Sequence, residues 1–287
     1  MSTGIINGRE IAKDIREKVS SDVKKLVSKY NIAPNITTIK IGSDPSSDLY
    51  LRLRDDACRE VGIKSIHLDF PNNTSEKDVL KAINRLNNDL GVHGILVQYP
   101  TPEHISAARL MKTIDPRKDV EGLHPFNMGR TLVGDEHLTP ITPLSVLTIL
   151  EYEKIKLEGK DVVIVNHSNL VGKPLAALLL NRNATVSICH VFTKDIKQYT
   201  SKADILVSAV GKPGLITSDH VKNGAFVIDV GIVKTKDGVC GDVDFGYVKE
   251  KADMITPVPG GVGPVTVACS LVNMLKTYEN CLEEKRR

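Results

Sequence analysis

Tryptophan is absent from the 287 residues, and aromatic residues make up only 4% of them. Single-stranded nucleic acid is held by stacking bases on exposed rings, so this scarcity argues against that class of partner. Charge points the same way. Lys and Arg number 38 against 35 Asp and Glu, a net charge of +3. The basic residues are scattered apart from Lys-Arg-Arg at 285–287, read here as a frayed terminus. No apolar run approaches the roughly 18 residues of a membrane-spanning helix. The opening Met-Ser-Thr-Gly-Ile-Ile-Asn-Gly-Arg has no apolar core of a secretion signal. The expectation is a cytoplasmic protein with no membrane partner. The five cysteines (Cys58, Cys189, Cys240, Cys269, Cys281) are odd in number, widely spaced and without a C-x-x-C pair. Neither a disulfide framework nor a zinc site is indicated. The eight histidines show no H-x-x-x-H pairing, so no metal is expected.

What remains is ordinary globular composition, 41% hydrophobic and 25% charged, with length for about two domains. Helix and strand patterns alternate. Helices are expected over 8–30, 46–61 and 75–90, the last capped by Ser75, and strands over 36–41, 65–68 and 94–98. Residues 115–140 hold Pro116, Gly122, Pro125, Gly129, Gly134 and Pro140 and read as a long functional or inter-domain loop. A helix starts near Pro143. Strands at 161–165, 185–189, 205–209 and 226–230 follow, with a helix over 171–180. Strands separated by helices imply a parallel α/β sheet, doubly wound in the second half.

The most distinctive stretch is Thr-Pro-Val-Pro-Gly-Gly-Val-Gly-Pro-Val-Thr at 256–266. Its three prolines and three glycines carry no charge among them. Proline fixes φ and removes a donor, and glycine lets a backbone or ligand come close. A solvated linker would carry Ser, Lys or Glu. A shaped turn against a ligand or a second domain is expected, followed by a helix whose apolar positions run from Val267.

The 161–165 strand leads into Asn166-His167-Ser168-Asn169-Leu170-Val171-Gly172-Lys173. Strand, polar loop, glycine and helix is the layout of a dinucleotide site, with pyrophosphate over the helix N-terminus. Only Gly172 remains of the usual G-x-G-x-x-G. The next strand ends at Cys189-His190, where an adenosine ribose would lie, without the acidic residue of NAD recognition. His167, Lys173 and Lys194 suit a 2′-phosphate, although His167 and His190 equally suit plain loop positions. Ala209-Val210-Gly211 and Asp229-Val230-Gly231 repeat the strand-then-glycine theme.

These pieces together resemble the methylenetetrahydrofolate dehydrogenase/methenyltetrahydrofolate cyclohydrolase family. The resemblance is carried by 257–266, by Tyr50, by Gly-Ile-Leu-Val-Gln at 94–98 before Pro100, and by Lys118-Asp119-Val120 with Gly122, His124-Pro125, Asn127 and Gly129. Thr142-Pro143, Ser168, Val171-Gly172 with Pro174, and the two strand-end turns extend it over the whole chain. It implies a folate-binding catalytic domain of residues 1–141 plus 265–287 and a Rossmann-type nicotinamide domain of 142–264, with the last helix returning to the first domain and folate in the cleft. It further implies oxidation of 5,10-methylenetetrahydrofolate with NADP (NAD being open), hydrolysis of the methenyl product to 10-formyltetrahydrofolate, and a homodimer. One-carbon supply to purine and amino-acid biosynthesis goes with it. Tyr50, Arg54, Gln98 and Glu121 would be catalytic. Tyr50, Tyr99, Pro100, Glu121, Pro259, Gly260 and Gly261 would meet the folate. Asn166, His167, Ser168, Val171, Gly172, Lys173, His190, Ala209, Val210, Gly211, Gly231, Ile232 and Thr266 would meet the cofactor.

The chain departs from the family at telling places. Arg54 stands where the family has a catalytic lysine four residues after Tyr50, and Glu121 stands where it has Asp. Tyr99, Ile141, Asn166-His167 and Val191 are also changed, which weakens the case for strict NADP preference. Hydrolysis adds water to an amidinium-like carbon and needs a group that exchanges a proton near neutral pH. A desolvated lysine can do so; arginine, with a pKa above about 12, cannot. Hydride transfer needs alignment rather than a protein base. Three functions are therefore open: a dehydrogenase with weakened hydrolysis, a fully bifunctional enzyme with another proton carrier, and a non-catalytic folate- or nucleotide-binding paralogue.

Overall fold

The computed structural model describes residues 4–42, 45–236 and 238–284. The basic 285–287 tail lies outside them. The chain divides into two compact units. One comprises Lys13–Arg130, Glu136–Ile141 and Val267–Arg287, and the other Met1–Ala12, Thr131–Asp135 and Thr142–Thr266.

The first unit is built on a three-stranded parallel sheet with Asn35–Ile41 at its centre, between Lys64–Phe70 and Gly94–Val97. All four residues of Gly94–Val97 are buried. Its free edge is continued by a parallel bridge from Ile95 to Asp119, which brings Asp119 and Glu121 alongside the strand ends. Helices Gly8–Tyr30, Pro45–Val61 and Glu76–Asn88 follow the expected pattern. Ser75 caps the third as anticipated, its hydroxyl accepting from the Asp78 amide at 3.2 Å. The final helix is anchored by Asn273, whose Nδ2 donates to the carbonyls of Val120 and Thr139, both at 2.8 Å.

The second unit holds a six-stranded sheet ordered Gly4–Ile5, Met254–Ile255, Phe226–Asp229, Ile205–Ser208, Asp161–Val165, Thr185–Cys189. Every pairing in it is parallel. Val162–Val165 and Ile205–Ser208 are buried throughout, as expected for parallel strands covered on both faces. The order steps outward in both directions from Asp161–Val165, which creates the switch point of a dinucleotide fold.

Two expectations are corrected. The 115–140 stretch is not a plain loop but contains the helix Pro125–Leu132, and Ala107–Thr113, unread in the sequence, is also helical. Both are short, and Pro125–Leu132 is set among proline and glycine residues that read as turns. The helix expected near Pro143 is present, beginning at Ile141 with Pro143 in its first turn, where a missing amide costs nothing. The last helix begins at Val262, not at Val267, so Gly263 and Pro264 lie inside its first turn for the same reason. By compactness, residues up to Ala12 group with the second unit, Gly4–Ile5 pairing with Met254–Ile255.

The 256–261 turn is tight on one side. A Cβ on Gly8 would lie 1.8 Å from the Gly261 carbonyl oxygen, and one on Gly261 would lie 2.6 Å from that of Pro257. Backbone therefore packs on backbone, and neither position admits a side chain.

Candidate active site

In the first unit, Tyr50 and Arg54 stand one turn apart on the Pro45–Val61 helix, which places them on one face. The Arg54 guanidinium carbon lies 5.7 Å from the Tyr50 ring centroid, within cation–π range. Arg54 is wholly buried. Its Nη2 donates to Thr38 Oγ1 at 3.0 Å, while Nε and Nη1 have no partner among the described residues. An unsatisfied buried donor costs about 1–3 kcal/mol. This charge is therefore held in an incomplete shell, with two donors left for an incoming acceptor.

The same wall carries three further groups. The Asp119 carboxylate, 1% exposed, accepts from the amides of Gly122 at 3.1 Å and His124 at 2.8 Å and from Asn127 Nδ2 at 2.9 Å. Those bonds fix the turn that carries Glu121. Burial pushes the Glu121 carboxyl up to about 7 against the opposing pull of Arg54, and the charge of Asp119 adds to the rise. Burial also drives the Tyr50 hydroxyl well above its ordinary value, with Glu121 adding to the shift. Tyr99 is moved in the same direction by burial and by Glu121 and Asp119.

Gln98 Nε2 donates to the Tyr99 carbonyl at 3.0 Å. The residue that holds Arg54 is Thr38. It lies on the central strand and is fully buried. Its place in a β-patterned run gave no sign of this role.

In the second unit, the loop after Asp161–Val165 is sealed by Asn166. Its Oδ1 accepts from the amides of Ser168 at 2.8 Å and Gly172 at 3.0 Å and from Ser168 Oγ at 2.8 Å, and its Nδ2 donates to the Ala209 carbonyl at 2.6 Å. Ser168 Oγ takes the Val171 amide at 3.1 Å, and the Ser168 carbonyl takes the Lys173 amide at 3.1 Å. The amides at the Gly172–Leu180 helix start, expected to face pyrophosphate, are thus occupied by the loop's own side chains and the Ser168 carbonyl. Gly172 serves packing instead: a Cβ there would sit 2.0 Å from the Asn166 carbonyl oxygen. Lys173 Nζ is engaged with Asn169 Oδ1 at 2.7 Å. His167 and His190 come together, their ring centroids 4.7 Å apart, and Phe192 stands edge-on to His190 at 6.0 Å.

The other two strand-end turns are cross-braced by two acids. Asp242 Oδ2 accepts from Ser208 Oγ at 2.7 Å and the Val210 amide at 2.6 Å, and its Oδ1 accepts from the Lys212 amide at 2.7 Å. Asp229 Oδ1 accepts from the amides of Gly231 at 2.9 Å and Asp242 at 3.0 Å, and Oδ2 from Val243 at 2.9 Å. Burial raises the Asp229 carboxyl to about 6. Asp242 was not singled out in the sequence; its only signal is its place in Gly-Asp-Val-Asp at 241–244. Gly211, with φ +77° and nothing within 4 Å of an added Cβ, opens this edge to a ligand. Pro259, Gly260, Gly261 and Thr266 group with this unit, apart from Tyr50, Arg54 and Glu121.

Open turns at successive parallel strand ends fit a dinucleotide. The consumed amides mean that side chains would do much of the holding. Among the described residues no group of acidic, histidine or cysteine side chains could hold a metal ion, and no helix is long and apolar enough to cross a membrane.

Residues 6–121 match the catalytic-domain model of tetrahydrofolate dehydrogenase/cyclohydrolase, and residues 140–282 match its NAD(P)-binding-domain model. The bifunctional protein FolD of Methanosarcina barkeri is 53% identical over 275 residues, covering 96% of each chain. Among solved structures, the bifunctional FolD methylenetetrahydrofolate dehydrogenase/cyclohydrolase of Campylobacter jejuni is 43% identical, with TM-score 0.95 over 97% of this chain and 99% of that one. The Trypanosoma brucei N5,N10-methylenetetrahydrofolate dehydrogenase-cyclohydrolase, complexed with NADP and an inhibitor, is 34% identical, with TM-score 0.94 over the whole of both.

Proposed function

The chain belongs to the tetrahydrofolate dehydrogenase/cyclohydrolase family, and from that premise we propose that its two activities are unequal. It is a methylenetetrahydrofolate dehydrogenase, an enzyme with an NAD(P)-binding domain. Hydride transfer runs at the ordinary level, and hydrolysis of the methenyl product is weakened. The observation that carries this is Arg54: a guanidinium, wholly buried and tied to Thr38, in place of the family's amine.

When bound, the nicotinamide supplies the hydride acceptor. The folate nitrogens push the hydride from the bridging carbon, so the protein's task is alignment. Arg54 offers Nε and Nη1 to acceptors on the folate, Tyr50 and Tyr99 pack against its rings, and Glu121 takes its ring amino and N–H donors. Pro100 borders it. In hydrolysis a water must lose a proton as it adds to the methenyl carbon, and Arg54 cannot take it. Gln98, turned to the Tyr99 carbonyl, holds the loop rather than a proton carrier.

The cofactor rests on the turns at Asn166–Lys173, His190, Ala209–Gly211 and Gly231–Ile232, with Thr266 nearby in sequence to the 256–261 turn. His167 and His190 in place of an acidic residue favour NADP. The enzyme acts as a homodimer in the cytoplasm and supplies one-carbon units to purine and amino-acid biosynthesis. A second reading, full bifunctionality, is favoured by one observation: Glu121 titrates near neutrality at about 7 and could relay the proton.

The test is to follow NADPH formation and methenyl-folate decay separately in the purified protein. Hydrolysis about a hundredfold or more below hydride transfer is expected; comparable rates would establish the second reading.

A further inference from the structure

Strand alternation puts Thr38 on the face opposite Ile39 and Ile41, which pack with Val79 and Ile83 of the Glu76–Asn88 helix. On its own face it meets the Pro45–Val61 helix through Arg54, whose Nη2 donates to its hydroxyl at 3.0 Å. At the centre of a buried parallel sheet a valine of the same shape is the ordinary choice. A hydroxyl in that place, wholly buried, costs free energy unless it is bonded, and the guanidinium supplies the bond.

The helix has another hold on the sheet. Asp55, the next residue, accepts from Ser65 Oγ at 2.7 Å and pairs with His67 Nε2 at 3.0 Å, both on Lys64–Phe70. The backbone at 54–55 is therefore tied down by a separate route. What the Thr38 bond fixes is the far end of a long side chain. Arg54 and the Glu121 carboxyl attract one another, and a freed guanidinium would be drawn onto that carboxylate, closing both groups to a ligand.

We propose that Thr38 is a positioning residue for hydride transfer, acting through Arg54: by taking Nη2 it keeps the guanidinium from closing onto Glu121 and leaves Nε and Nη1 for the folate. This rests on the folate site proposed above.

The test is a double-mutant cycle read by single-turnover NADPH formation. Thr38→Val keeps the branched shape and removes the acceptor. The rate falls about tenfold, while the Kd for NADP, whose proposed site lies in the other unit, stays within about twofold. Thr38→Ser keeps the hydroxyl and stays within about threefold of wild type. In the Arg54→Met background, Thr38→Val changes the rate by less than about twofold, because the side chain it positions is gone. Thr38→Ala takes its place in the same cycle if Thr38→Val does not fold. Equal losses in both backgrounds, or Thr38→Ser as slow as Thr38→Val, make Thr38 merely structural and overturn the proposal, as does Thr38→Val at the wild-type rate. An Arg54→Met protein that transfers hydride at the wild-type rate would instead refute the folate site on which it rests.

Discussion

Arg54 in one unit and Asp242 in the other are both wholly buried charges, yet their surroundings differ in kind. Asp242 accepts three hydrogen bonds from its own unit, and Asp229 three more beside it. Among the described residues the Arg54 side chain has one hydrogen bond, and its Nε and Nη1 have no partner. A buried ion with a full shell is part of the scaffold. A buried ion with an unfinished shell is poised for a ligand, and the fold bears its desolvation until the ligand arrives.

The largest expected effect would break the scaffold side of that contrast. Asp242→Leu leaves three donors without an acceptor and costs about 3 kcal/mol of stability in urea unfolding. Arg54→Met does the opposite, since it removes a charge whose shell was never complete. Stability stays level or rises by up to about 2 kcal/mol, while hydride transfer falls about a hundredfold in single-turnover assays. A stability loss as large as that of Asp242→Leu would show that Arg54 is scaffold too.

The pH dependence sharpens the comparison further. The Glu121 pKa, raised to about 7 in the fold, exceeds its unfolded value near 4.3. Its stabilising contribution is complete below about pH 4 and is lost as pH rises through 7. The stability of wild type relative to Glu121→Gln therefore declines between pH 5 and 8. Asp229, raised to about 6, acts in the same direction but is common to both proteins and cancels. A flat difference would remove Glu121 from the unfinished wall. The smallest effect belongs to Lys173→Ala. With its ammonium already on Asn169 and exposed, the ratio of NADP to NAD affinity changes by less than about threefold.

Much of this was legible in the residues. The alternating patterns gave the parallel sheets because buried parallel strands read as short apolar runs, as at Asp161–Val165. Tyr50, Arg54 and Glu121 stood out because the surrounding motifs are long enough to mark a changed residue. Where local pattern carries no signal, the reading stopped. Pro125–Leu132 is a short helix set among turn-forming residues, and Gly263-Pro264 suits a helix start as well as a loop. Thr38 and Asp242 act through partners 16 and 30–34 positions away, a distance that no periodicity records. The helix-start amides were assigned to phosphate because the loop looked open. Only the fold shows Asn166 and Ser168 folded back onto them.

The unfinished shell of Arg54 is tested most directly by the ratio of methenyl-folate hydrolysis to NADPH formation, measured under one set of conditions for wild type and Arg54→Lys. Lysine restores a group that can release and regain a proton, so the ratio is expected to rise at least about tenfold, with NADPH formation changed by less than about threefold. An unchanged ratio, with hydrolysis already as fast as hydride transfer in the wild type, would contradict the account and place the proton carrier elsewhere on the wall.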